Sequence, residues 1–323
     1  MKYIITPLLL LAATIALRAQ SLSPFKDASG KYGAKDASGN IVIQPRYGYL
    51  DSFYNNLAIA YKEDHFGFID PAEKTIVPFR YDMAVHFSEG LAAVNTGGRI
   101  NTDDIFEGGK WGFVNRQGDV LITPQYEMVG SFHEGLAVIN RGGKTDAKTG
   151  DFYGGKWGLI DISGKEIIAA KYDAIQTSNP QVLVVGNDLK FGLADRSGRQ
   201  LTSLKYDDIT VDENGISRVN IGGIFDELFE VMDGGKWGFL DRTGKELIPV
   251  KYDDAGFYHE GLVKVNTGAT ADGGGKWGFA DMTGKLVIPV QYDSVDDFSG
   301  GKTKVTLNGK SFYIDKTGKR LNQ

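Results

Sequence analysis

Lys-Trp-Gly occurs at Lys110-Trp111-Gly112, Lys156-Trp157-Gly158, Lys236-Trp237-Gly238 and Lys276-Trp277-Gly278, and these four copies hold all four tryptophans of the chain. Each copy opens a segment that reads as turn, apolar strand and Lys/Gln-Tyr-Asp/Glu, often followed by Phe-x-Glu-Gly-Leu. A fixed period constrains a fold more than any local propensity does. One small unit is copied, and it buries its apolar face only against its neighbours. Tyr32-Gly33, Phe66-Gly67 and Phe191-Gly192 align with the tryptophan pairs, and Phe312-Tyr313 is aligned as a last pair in which tyrosine replaces the glycine. Successive aromatics lie 34, 45, 46, 34, 46, 40 and 35 residues apart, which gives seven units and a C-terminal half unit.

The sixth unit shows the pattern most fully. Lys236 to Asp241 and Glu246 to Tyr252 read as strands around an Arg242-Thr243-Gly244-Lys245 turn; residues 253 to 260 cross over, with Phe257 as apolar anchor; Gly261 to Asn266 reads as a third strand. Short β-rich runs separated by Gly-bearing turns predict a three-stranded meander in each unit. The turn recurs as Asp-x-Ser/Thr-Gly, for example at Asp161, Asp195, Asp241, Asp281 and Asp315. There the aspartate accepts backbone N–H groups a few residues on, and glycine supplies a positive φ. These turns lack the ligand series of a calcium loop.

Gly112, Gly158, Gly238 and Gly278 sit mid-strand, where glycine weakens pairing by roughly 0.5–1 kcal/mol relative to alanine. Close approach is the expected reason: a large ring from a neighbouring unit lies over the bare backbone. The tyrosines ending the second strand, including Tyr126, Tyr172, Tyr252 and Tyr292, supply candidate rings. With Trp111, Trp157, Trp237 and Trp277 they are expected to form the repeat core. An aromatic platform for sugars is the functional alternative.

Segments of 14, 15, 15 and 9 residues follow Asn95, Asn140, Asn220 and Asn266, and each ends in Gly-Gly-Lys-Trp-Gly. Units with short connections carry Tyr or Phe instead of Trp. The long segments are expected to project as inter-repeat loops, where function concentrates. In residues 221–235, apolar residues at helical spacing (Ile224, Leu228 and Val231; Phe225, Phe229 and Met232) predict a short amphipathic helix. Phe225, Leu228, Phe229 and Met232 are the leading candidate partner-binding residues; Phe106, Phe152 and Tyr153 on other loops are weaker ones.

Residues 1–19 read as a secretory leader: Lys2, an apolar run from Ile4 to Leu17, and Ala19 at the cleavage site. Export to the periplasm, cell surface or medium follows as an expectation, with residues 20–323 as a single repeat domain. Without Lys2 and Arg18 the chain has 34 basic and 41 acidic residues, a net charge of −7. That balance argues against nucleic acid as a partner. No second run is long and apolar enough to span a membrane. With no cysteine there is neither a disulfide framework nor a thiol nucleophile. No phosphate-binding glycine loop, zinc-protease helix or serine-hydrolase elbow is present. His133 and His259 sit at matching repeat places, too far apart to share a metal. No cofactor, metal or catalytic residue is expected, and a hydrolase would need a constellation that only folding assembles.

The run Lys-Trp-Gly-Phe-x-Asp-x-x-Gly-Lys-x-x-Ile-Pro-x-x-Tyr-Asp, then Phe-x-Glu-Gly-Leu-x-x-Val, resembles the WG-repeat family of bacterial proteins over about Lys31 to Leu321. The resemblance implies an interaction role and carries no catalytic residues. Two all-β architectures satisfy the pattern: an open, capped stack of meanders, and a closed seven- or eight-bladed propeller. Matching hairpin halves at both ends favour the stack, with residues 23–31 as a capping strand. The expected function is exported, non-catalytic binding or scaffolding of a protein through the long loops. The alternative is a cell-envelope carbohydrate-binding module.

Overall fold

The strands follow from alternation. In Glu246–Tyr252, Ile248 and Tyr252 are buried, while Glu246, Pro249 and Lys251 face water; the same alternation recurs in Ile41–Tyr47, Thr75–Tyr81, Val120–Tyr126, Glu166–Tyr172 and Leu286–Tyr292. The computed structural model describes residues 22–226, 231–270 and 273–322, and among these residues it is all β, without a helix. The leader at residues 1–19, and with it Leu228 and Phe229, lies outside the described residues. No helix among the described residues is long and apolar enough to cross a membrane.

Eight antiparallel sheets follow one another along the chain, at 23–47, 49–81, 83–126, 128–172, 174–195, 208–252, 254–292 and 294–315, each wound in sequence order. The first, fifth and eighth have three strands, and the others gain a fourth at the edge. From the second sheet onward the crossing segment forms the first, edge strand, as short as Tyr49–Leu50 and Met83–Ala84; the fifth and eighth sheets have it too and lack the last strand instead. Ser23–Lys26 forms the expected extra strand at the start. The described residues divide into two compact units: those up to Tyr126 with Ala147–Gly150, and Glu127–Asp146 with Asp151 onward.

The sheets are out of phase with the sequence repeat. The strand Leu262–Thr270 pairs with the Lys-Trp-Gly strand of the next copy, Asn266 opposite Trp277. From the second onward, each sheet therefore begins just after the tyrosine of the repeat and one further residue, usually aspartate. The long segments are not inter-repeat connections but extensions of hairpins inside sheets, such as Leu91–Ile100 with Phe106–Asn115. Residues 221–235 correct the predicted helix: Ile224, Phe225 and Asp226 pair with Asp233, Met232 and Val231. Four glycines in this stretch, Gly222, Gly223, Gly234 and Gly235, each disfavour a helix by about 1 kcal/mol, and the ladder satisfies the same backbone groups.

Within each unit, core clusters join consecutive sheets. Trp237, Phe239 and Tyr252 of the sixth sheet pack with Ala255, Val263 and Val265 of the seventh; Tyr81 packs with Ala84, Ala92 and Val94. Trp111 and Trp237 are buried, Trp157 and Trp277 half-buried, and the geometry differs from the prediction. Trp and Tyr are cross-strand partners in one sheet, as with Trp237 and Tyr252. The glycine beside the tryptophan is crowded by main chain and not by a ring: a Cβ on Gly238 would lie 2.7 Å from the Ile248 carbonyl oxygen and 2.7 Å from Val250 Cα. Close approach between sheets occurs instead at the turn glycine. A Cβ on Gly284 would lie 1.8 Å from the carbonyl oxygen of Leu247 in the preceding sheet.

The turns work through their aspartates. Asp281 Oδ1 accepts the N–H of Thr283 at 2.8 Å, the N–H of Lys285 at 3.1 Å and the Thr283 hydroxyl at 2.6 Å. The hydroxyl is the largest cause holding the carboxyl below its ordinary range, and the same holds for Asp161 and Asp315. A carboxylate with a depressed folded-state pKa stabilises the protein above its unfolded pKa, near 3.9, and that stability is lost as pH falls through the folded value. Melting temperature should therefore drop steeply below about pH 4. Replacing several turn aspartates by asparagine should flatten that limb without unfolding the protein at neutral pH. Asn115 already fills the role, accepting the N–H groups of Gln117 and Asp119 at 2.9 Å.

Candidate functional site

The four long hairpins share one construction. At the root stands a buried asparagine, Asn95, Asn140, Asn220 or Asn266, at most 1% exposed. Asn140 Oδ1 accepts the Gly143 N–H at 3.0 Å, and its Nδ2 donates to the Gly154 carbonyl at 3.3 Å. Asn95 and Asn220 make the equivalent pair of bonds. In the fourth hairpin Ala269 replaces the glycine; Asn266 Nδ2 still reaches the Gly274 carbonyl at 3.2 Å, but its Oδ1 has no partner among the described residues.

Beyond the root, glycines with positive φ kink the hairpin. Gly154 and Gly155 stand at φ 69° and 68° opposite Gly142 at 86°, a region that penalises other L-residues by roughly 1–2 kcal/mol. The kink brings Phe152 edge-on to Trp157, 5.8 Å between ring centroids, and lays its ring over Gly143. Phe106 does the same with Trp111 at 6.1 Å and with Gly98. This is why Trp accompanies these two long hairpins: the larger ring receives the folded-back phenylalanine.

In four sheets a lysine of the preceding sheet ties down the hairpin, through an aspartate: the long hairpins rooted at Asn220 and Asn266 and the short ones of the fifth and eighth sheets. Lys156 Nζ donates to Asp173 Oδ1 at 2.6 Å, and Asp173 Oδ2 accepts the Asp188 N–H at 2.9 Å. Lys236 pairs with Asp253, whose other oxygen accepts the Gly268 N–H at 2.6 Å. Lys190 and Lys276 bond Asp207 and Asp293 in the same way. The lysine bond is the largest cause lowering the carboxyls of Asp173, Asp253 and Asp293. The lysine side chains are about half exposed, so water screens these pairs and their value is positional. A stronger clamp is Arg218. Its guanidinium carbon lies 4.3 Å from the Trp237 ring and 4.2 Å from the Phe257 ring, while Nη1 donates to the Ala255 carbonyl at 3.0 Å.

The hairpins of the sixth and seventh sheets enclose a cleft of about 990 Å³ in the second unit, lined by Trp237, Trp277, Asp233, Asp254 and the kink glycines. Ile224, also on its wall, is 77% exposed. Of the residues expected to meet a partner, Phe106 and Phe152 are occupied by their own hairpins. Tyr153 is 55% exposed. Phe225 and Met232 stand opposite each other across the hairpin, and Leu228 and Phe229 lie outside the described residues. Sequence reasoning missed Ile224, the root asparagines and the lysine tie. The asparagines and lysines were detectable as fixed positions of the repeat; Ile224 was absorbed into the predicted helix.

The eighth sheet also corrects the alignment of the last copy. Register places Ser311 opposite Thr306 and Phe312 opposite Val305, whereas Trp277 and Gly278 face Asn266 and Val265. Ser311 thus stands at the tryptophan position and Phe312 at the glycine position.

No curated protein matches this chain. Among solved structures, a eukaryotic initiation factor is similar at 11% identity over 94% of this chain and 95% of that one, with a TM-score of 0.32. The WD40 domain of Neurospora crassa Pan2 is similar at 11% identity over 81% and 85%, TM-score 0.28, and a Bacteroides caccae protein of unknown function at 12% identity over 84% and 93%, TM-score 0.20. Scores this low carry no argument about this chain. The family model described as WG containing repeat matches at residues 32–64, 66–99, 111–144, 157–179, 191–223, 237–269 and 277–310. Its matches begin at or beside the aromatic of each unit, and the Lys-Trp-Gly strands, bulge glycines and root asparagines fall in the same register from copy to copy. The chain is a member of the WG-repeat family.

Proposed function

We propose that this is an exported, non-catalytic binding or scaffold protein that offers its kinked hairpins to another macromolecule, a protein first of all. The cleft between the hairpins of the sixth and seventh sheets carries the proposal. It pairs an exposed apolar residue, Ile224, with the carboxylates of Asp233 and Asp254, while Asp253 and Asp293 on the same lining are already paired with Lys236 and Lys276. A basic segment with an apolar anchor suits that combination. The rigid roots hold both walls in place before a partner arrives, which limits the ordering entropy of binding. Non-catalytic action is supported by the commitment of the charged groups to fixed structural bonds, as with Lys236, Asp253 and Gly268. Export rests on the leader pattern of residues 1–19, with the periplasm, cell surface or medium as destination.

Ile224→Asp should leave the melting temperature within about 1 °C, since the side chain is exposed. It should also abolish capture of a specific envelope protein by the purified chain. Capture that survives this substitution would sink the reading. The second reading, glycan binding, is favoured by Tyr153, an exposed ring on the hairpin of the fourth sheet. It requires soluble polysaccharide to quench tryptophan fluorescence and the quenching to vanish in Tyr153→Ala.

A further inference from the structure

The first unit contains a second cavity, of about 590 Å³, between the second and third sheets. It lies where a sheet with a short hairpin meets one with a long hairpin. The second sheet turns at once through Glu63 and Asp64, both at positive φ, while the third extends to Ile100, which overhangs and is 58% exposed. Phe66 stands here at the place of tryptophan, and the smaller ring leaves the space open. Its lining brings the rings of Tyr49, Tyr61 and Phe66 together with Ile59, Met83 and Ala84. Tyr49 and Val85 also line it and keep more than a third of their surface in water. An apolar recess of this size falls in the range of small-molecule sites.

One carboxylate stands among these residues. Asp51 Oδ2 lies 2.8 Å from His86 Nε2, and its Oδ1 accepts the Ser52 N–H at 2.6 Å. Burial first, and then the neighbouring Asp51 carboxylate, push the Tyr49 hydroxyl above its ordinary range. A carboxylate accepts about four hydrogen bonds, so one more donor fits. His86 is itself packed edge-on by Tyr54 at 4.5 Å. No lysine or arginine lines the cavity, and Asp64 lies beside it, 3.4 Å from the Tyr61 hydroxyl. Aromatic faces next to an acid, with no lysine or arginine among them and only the His86 imidazole as the acid's neighbour, attract a cation through the ring quadrupole and the carboxylate together.

We propose that this recess binds an organic ammonium compound: an amine nitrogen at Asp51 and an apolar or aromatic body between Tyr49, Tyr61 and Phe66. The site lies in a different unit from the hairpin cleft and stands or falls separately from it.

Three probes of one shape test it on the full mature chain by titration calorimetry: tryptamine, its alcohol analogue tryptophol, and indole-3-propionate. Tryptamine should bind at least ten-fold more tightly than tryptophol, and the acid least. Asp51→Asn should bring tryptamine down to the tryptophol level while leaving tryptophol unchanged. Val85→Trp, at a partly exposed position on the rim, should block tryptamine without touching the acid, which keeps the test sound should Asp51→Asn fail to fold. Equal affinity for amine and alcohol, absence of tryptamine binding, or unchanged binding in Val85→Trp would each overturn the assignment. A preference for methyl glucoside over tryptamine would overturn it in favour of a sugar platform.

Discussion

Gly112→Val should destabilise the protein by about 4 kcal/mol or more, in the range reserved for severe core lesions. A Cβ there would lie 2.3 Å from the Ile122 carbonyl oxygen, 2.5 Å from Pro124 N and 2.8 Å from Pro124 Cα. All three atoms are main chain, so no rotamer change relieves the overlap. The crowding comes from a bulge: Trp111 pairs with Tyr126 and Phe113 with Ile122, so two steps on one strand span four on the other. The extra residues arch over Gly112. Its φ is not in the left-handed region, so backbone strain has no part in the effect. Gly90 is the control. It has φ 83° and nothing within 4 Å of a built Cβ, so Gly90→Ala should lose only about 1 kcal/mol of conformational energy. Urea denaturation of the two variants separates the mechanisms. A Gly112→Val chain that unfolds at the wild-type midpoint would remove the bulge from the account.

The other copies support the same cause. The carbonyl oxygen that would meet a Cβ lies at 2.4 Å from Gly33, 2.6 Å from Gly158 and 2.6 Å from Gly278. At Gly192, where the following segment forms no regular strand and pairs through isolated bridges at Tyr206 and Gln200, the nearest carbonyl oxygen, of Ser203, is 2.9 Å from a built Cβ. In the eighth sheet no fourth strand is paired beyond Lys310–Asp315, and there the glycine position is filled by Phe312. Its ring finds Tyr292 at 6.3 Å and the Arg320 guanidinium at 4.4 Å. Where the arch is missing, a large side chain takes its space.

These particulars show what the sequence could and could not reveal. Strands such as Glu246–Tyr252 and turns such as Asp281–Lys285 were legible because alternation and Asp-x-Thr-Gly act within a few residues. The sheet boundary was not. A repeated string has no privileged starting point, and only the pairing of Asn266 with Trp277 fixes where one sheet ends. The bulge over Gly112 was hidden for a related reason: mid-strand glycine announces close approach but not which chain approaches. The helix predicted over residues 221–235 failed because apolar spacing was weighed and the paired glycines at its two ends were not. The cavity at Asp51 was illegible because it arises from two neighbouring hairpins of unequal length, a property of the pair and of neither one alone.

The second large effect is expected at a hairpin root. Asn140→Leu keeps side-chain volume and buries more apolar surface, yet it should destabilise by about 3 kcal/mol. The reason is the pair of groups left behind. The Gly143 N–H and the Gly154 carbonyl lose their partner in a place the asparagine itself keeps at 0% exposure. Each buried, unsatisfied group costs about 1–3 kcal/mol. Asn140→Asp should not rescue, because a carboxylate oxygen would then face the Gly154 carbonyl. Asn266 provides the comparison within the same unit: it makes one of the two bonds and its Oδ1 has no partner among the described residues. Asn266→Leu should therefore cost about half as much as Asn140→Leu. Amide exchange gives the local measure. In Asn140→Leu the amides of Lys144 and Thr145, paired with Tyr153 and Phe152, should exchange at least ten-fold faster, since the hairpin beyond the kink hangs on that one side chain. Equal losses at the two asparagines, or unchanged exchange beyond the kink, would show that the glycines alone hold the hairpin and that the buried amide is only filler.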